Sequence, residues 1–145
     1  MHIVTASKDG SIYVWKIVGD SENPDDRLSY VSDFNIDEPL SKVKWFTPTC
    51  ILVATTEGNL YSLDIESDSQ NVLCLSRPKL VYQAEHEVAI WDLATYSKGE
   101  RHEVWLAEDS GKVTQLLLDN TMKVLASKTV HVSQLVFILI LFCTM

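Results

Sequence analysis

Three glycines set the frame of this chain. Gly10, Gly58 and Gly111 each close a short polar turn between two runs rich in apolar and β-branched residues. The runs are Ile3–Ala6 and Ile12–Trp15 around Lys8-Asp9-Gly10-Ser11, then Ile51–Thr55 and Leu60–Leu63 around Thr56-Glu57-Gly58. The third pair is Val104–Ala107 and Val113–Leu118 around Glu108-Asp109-Ser110-Gly111. Glycine supplies the positive φ that a tight hairpin turn needs, and Asp9 can bond the backbone just beyond itself. The glycines lie 48 and 53 residues apart. Three hairpins at so regular an interval make a repeat protein, because each hairpin has an apolar face that only a neighbour can bury.

Between the hairpins lie further short runs: Leu28–Phe34, Lys42–Phe46, Val72–Leu75, Leu80–Tyr82, Val88–Ala94 and Met122–Ser127. At this length they favour strands over helices. Polar stretches separate them: Gly19–Asp26, Asp37-Glu38-Pro39, Glu66–Asn71, the Glu85-His86-Glu87 corner and a loop at Ser97–Arg101. No window has a helical period. The chain of 145 residues therefore reads as all-β, with strands enough for about three antiparallel units and apolar content (46%) sufficient for a core.

The first hairpin resembles the WD-repeat (WD40) β-propeller family, in the stretch Val4–Lys16. That family builds four-stranded blades and joins a strand Trp, a strand Ser/Thr, a turn Asp and a corner His in a structural network. The resemblance puts Trp15, Thr5 and Asp9 at three of those places; the matching His would precede Met1. His86 holds the corner position before the third hairpin, where Leu116 and Ser110 replace the Trp and the Asp. The middle unit has Leu63 and Glu57 there. The resemblance, which covers about residues 2 to 130, implies a partial propeller with an open ring and an incomplete first blade. Its blades are expected over approximately 1–34, 41–82 and 86–127 within a domain of 1–130, followed by an apolar tail at 131–145.

Function follows by the same resemblance. Blade turns and corners are where this family docks partners, which marks Lys8, Asp9, Asp37, Glu38, Glu57, Asn59, Glu85 and His86 as contact candidates. The competing reading for each is a turn-former or a solvated charge. Trp15, Trp45, Trp91 and Trp105 fall inside strands and are expected to pack in the sheets.

Composition narrows the partners. A net charge of −8, with only 12 Lys and Arg scattered along the chain, argues against direct nucleic-acid binding. The histidines and cysteines lack metal-ligand spacing, and His102 beside Glu100 and Glu103 reads as an exposed polar cluster. No phosphate loop, nucleophile elbow or activated carboxylate pair is present. The expectation is a non-catalytic protein–protein interaction scaffold without metal or cofactor. Cys50, Cys74 and Cys143 are unpatterned, which suits reduced thiols in the cytoplasm or nucleus. Alternatives are a subunit presenting substrate to a catalytic partner, or a form tethered to membrane by Leu135–Cys143. That run has nine residues, well short of the ~17–25 a spanning helix needs. The chain is expected to be a truncated or fragmentary propeller whose bare blade faces need missing blades or self-association to cover them.

Overall fold

A computed structural model describes residues 1–19, 23 and 27–131. Among these described residues, twelve strands form three antiparallel sheets stacked in chain order. The first holds β1 (His2–Ala6), β2 (Ser11–Ile17) and β3 (Leu28–Asn35), in that order. The second runs β4 (Leu40–Thr47), β5 (Cys50–Thr55) and β6 (Asn59–Ser67), and its outer edge is shared by two short strands. Of these, β7 (Leu73–Leu75) pairs with Ile65–Ser67 of β6, while β8 (Lys79–Gln83) pairs with Asn59–Ser62. Pro78 lies in the break between β7 and β8, consistent with its inability to donate to a ladder. The third sheet is a four-strand meander, β9 (Ile90–Lys98), β10 (Arg101–Glu108), β11 (Lys112–Leu118) and β12 (Val124–His131).

The apolar residues divide into two layers, one in each gap between sheets. Ile12, Val14, Leu40, Ile51, Val53, Leu63 and Leu75 fill the first gap. Leu52, Ala54, Leu60, Ile90, Leu93, Val104, Leu106, Leu116 and Leu118 fill the second. Alternation along β5 explains the split: Ile51 and Val53 face one neighbour, and Leu52 and Ala54 face the other. All six residues of β5 are consequently buried, and the strand reads as an uninterrupted apolar run.

The turn glycines all have positive φ: +89° at Gly10, +85° at Gly58 and 75° at Gly111. They also mark equivalent positions in the three sheets. The residue after each glycine pairs with the last residue of its outer strand: Ser11 with Asn35, Asn59 with Gln83 and Lys112 with His131. Among the described residues the first sheet has no counterpart of the strand that β4 and β9 supply to the others.

Two local readings change. The Ser97–Arg101 stretch is no loop: β9 runs through Lys98 and β10 starts at Arg101, leaving a two-residue turn. Gly99, at φ +62°, makes that tightness possible. The outer strand expected at Met122–Ser127 is instead Val124–His131, because Met122 takes a left-handed conformation (φ 66°) in the preceding turn. The apolar run Leu135–Cys143 lies outside the described residues, as does most of Gly19–Asp26. Among the described residues no helix is long and apolar enough to cross a membrane.

Candidate functional site

The hairpin turns and the connections between sheets lie along one edge and are hydrogen-bonded to one another. After β3 the chain crosses to β4 through Ile36–Pro39; after β8 it crosses to β9 through Ala84–Ala89. Ile36 N–H donates to Gly10 O at 3.0 Å, and Ala84 N–H donates to Gly58 O at 2.8 Å. On the far side of each connection, Thr56 N–H donates to Pro39 O and Asp109 N–H to Ala89 O, both at 2.9 Å. Turn, connection, turn, connection and turn thus form a continuous rim held by backbone bonds.

The rim is tightly built. A Cβ on Gly58 would sit 2.7 Å from Val88 O, and one on Gly10 would meet Asn35 Oδ1, Asp37 N and Glu38 O at 3.1 Å. The connections bend sharply to fit. Asp37, His86 and Glu87 adopt positive φ of 62°, 61° and 54° without being glycine. At Asp37 the cause is local, since its N–H donates to Asn35 Oδ1 at 2.7 Å and closes an Asx turn.

The structure puts all eight contact candidates on this rim but in different states. Lys8, Asp9, Asp37, Glu57 and His86 are exposed. Glu85 is exposed and accepts from Lys112 Nζ at 3.4 Å. Glu38 and Asn59 turn inward: Asn59 Nδ2 donates to Glu38 Oε2 at 3.0 Å, and Tyr61 Oη donates to Glu38 Oε1. Burial, followed by that bond, pushes the Tyr61 phenol up to about 12. The third sheet has a counterpart carboxylate in buried Glu108, whose Oε1 accepts from Thr114 Oγ1 at 2.8 Å and from Tyr82 Oη at 3.1 Å. These inward groups tie the rim to the blades and leave the exposed ones on its solvent side.

Of the four residues in the family-type network, the structure joins two directly. Trp15 Nε1 donates to Thr5 Oγ1 at 3.1 Å. Asp9 caps its own turn, accepting from Ser11 N–H at 2.9 Å, and the Ser11 and Ser7 bonds hold its carboxyl below the usual range. His86 stands on the connection two sheets away, exposed, and no hydrogen bond links its ring to these residues. His102 is not the exposed cluster its neighbours suggest. Its half-buried ring bonds Ser97 Oγ and Asn120 Oδ1, each at 2.9 Å, and stacks edge-on to Phe46. Among the described residues no three metal-ligating side chains converge.

Solved structures of 73 chains match this arrangement. One of them, described as "Structure of Dos1 propeller", superposes with a TM-score of 0.64 over 90% of this chain, at 13% identity. The fold is that of a β-propeller. Each sheet is therefore a blade, and the chain spans 33% of the length of that neighbour. No protein-family model matches the chain, and no curated protein matches it.

The expectation that all four strand tryptophans pack in the sheets fails at Trp91. The tryptophans at 15, 45 and 105 are half-buried, whereas Trp91 is 51% exposed on the inner strand β9. Its exposure comes from a β-bulge: Asp92 pairs with Ala107 and Ile90 with Glu108, so Trp91 is the extra residue. Ser41 is the corresponding extra residue in the second blade. Nothing in the run Val88–Ala94 signals the bulge, which lies next to the rim bond from Asp109 N–H to Ala89 O.

Proposed function

We propose that this chain is a non-catalytic protein-interaction scaffold, a segment of a WD-repeat type propeller that binds other proteins through the turn-and-connection rim. The observation that carries the reading is the continuous backbone bonding of that rim across three blades. A surface already fixed by its own hydrogen bonds loses little conformational freedom when a partner docks, so more of the contact energy appears as affinity. The WD-repeat assignment is supported by the Trp15–Thr5 bond beside the Asp9 turn. Its acidic balance favours protein over nucleic-acid partners. The free thiols of Cys50 and Cys74 suit a cytoplasmic or nuclear setting.

The two outer faces of the stack belong to the same reading. Tyr13 and Tyr30 on the first blade are 37% and 55% exposed, on a sheet face that no blade of the described residues covers. We infer that further blades or a second copy cover such faces in the working assembly.

Site-directed photocrosslinking in cells tests the scaffold reading. A photoreactive residue placed at Lys8 or Glu57 on the rim should capture discrete protein partners. The same residue at Asp68, in the β6–β7 loop on the opposite edge, should capture few. Capture from Asp68 alone would remove the rim as the binding surface.

A further inference from the structure

The exposed indole of Trp91 has no structural task that its exposure explains. Its Nε1 donates to Asp109 Oδ1 at 2.9 Å, which lays the ring against the β10–β11 turn of its own blade. Ser41, at the corresponding bulge, instead spends its hydroxyl on Ile90 O of the next inner strand. A tryptophan held in one orientation with half its surface in water is the kind of side chain that anchors interfaces. It presents a flat aromatic face whose electron density attracts a cation.

The surroundings select the sign of the partner. Asp9, Asp37, Glu57, Glu87 and Asp109 are exposed along the rim against exposed Lys8, and Lys112 is already paired with Glu85. Asp92, next in sequence to Trp91, holds Lys42 at 2.9 Å. The indole thus stands beside a carboxylate that orients it, on an acidic surface.

Resting on the scaffold reading above, we propose that the rim docks a basic peptide segment, with one Arg or Lys side chain stacked on Trp91 and its charge facing Asp109. A cation over an indole gains from about 0.5 to 2 kcal/mol depending on desolvation, which is about two- to thirtyfold in affinity. Neighbouring carboxylates add a salt-sensitive attraction that speeds association.

The probe is a random-peptide display library selected on the full chain, with the enriched peptides then made synthetically. Enriched peptides should carry Arg or Lys, bind more weakly as salt rises, and lose about tenfold with Trp91→Ala. Trp91→Phe keeps an aromatic ring of weaker cation affinity and should lose only a few-fold. Asp109→Asn keeps an acceptor for the indole while removing the charge, so it should weaken basic peptides but not neutral ones. Circular dichroism of each variant establishes that the sheets are intact. Rim-binding peptides that lack basic residues, or basic ones indifferent to both Trp91 variants, would overturn the proposal and leave the scaffold reading standing. Selection of peptides that bind only the opposite edge would overturn both.

Discussion

Trp15 donates its indole N–H to Thr5 Oγ1, whereas the corresponding pairs, Val53 with Leu63 and Leu106 with Leu116, are apolar and fully buried. The difference follows from what covers each sheet. Leu63 and Leu116 face the preceding blade and belong to the layers between blades. Trp15 and Thr5 occupy a face open to water, where a hydrogen bond between polar side chains is tolerated. Leu116→Ala should therefore cost ~2–5 kcal/mol through the cavity it leaves, and Thr5→Val about 1 kcal/mol or less. Urea unfolding of the two variants checks this, and equal losses would mean that the first blade is not open.

Gly58 and Gly99 separate two costs. Both have positive φ, which penalises an L side chain by ~1–2 kcal/mol. At Gly99 a Cβ would meet open space, whereas at Gly58 it would meet Val88 O at 2.7 Å. Gly58→Ala should be the more damaging, by further unfavourable contact with backbone that cannot retreat without breaking the Ala84–Gly58 bond. Thermal melts of both variants against the parent read the difference.

Cys50 is 5% exposed, and burial pushes its thiol up to about 12, with the nearby Asp64 adding to the shift. The thiolate is the reactive form, so this cysteine should resist alkylation in the folded chain at neutral pH. Iodoacetamide labelling followed by mass spectrometry should modify half-buried Cys74 before Cys50, and Cys50 only in denaturant. Labelling of Cys50 at the Cys74 rate under native conditions would contradict the packing of β5.

Tyr61 gives an alkaline limit. Its folded value of about 12 exceeds the ordinary 10.0, so the fold holds the protonated phenol. The corresponding stability is fully present below pH 10 and is lost as pH rises from 10 to 12. Tyr82 and Tyr30 are raised in the same direction. Tyr61→Phe should reduce, without abolishing, the fall of the urea midpoint over that range.

Much of the architecture is legible because its determinants are local. The turn glycines, the alternation on either side and Pro78 are chain-level signals, and they place most of the strands. What escapes notice depends on neighbours distant in sequence. Glu38 and Asn59 look like exposed corner and turn residues, yet Tyr61 draws Glu38 inward and Glu38 in turn engages Asn59. Trp91 looks like a packed strand residue, yet it sits at a bulge next to the rim bond between Asp109 and Ala89, a partner 20 residues away in sequence. His102 meets Ser97 directly across the β9–β10 ladder, but its second partner, Asn120, comes from the β11–β12 turn 18 residues away.

The middle blade has consequences for how the molecule opens. β5 is covered on both faces, while β12 is exposed over seven of its eight residues. In a stack where each blade rests only on its neighbours, local opening is cheapest at the ends. Amide exchange should therefore run as a gradient, fastest in β12 and slowest in β5. The rim bonds cross that gradient from one blade to the next, so a partner seated on the rim would slow exchange in strands it never touches.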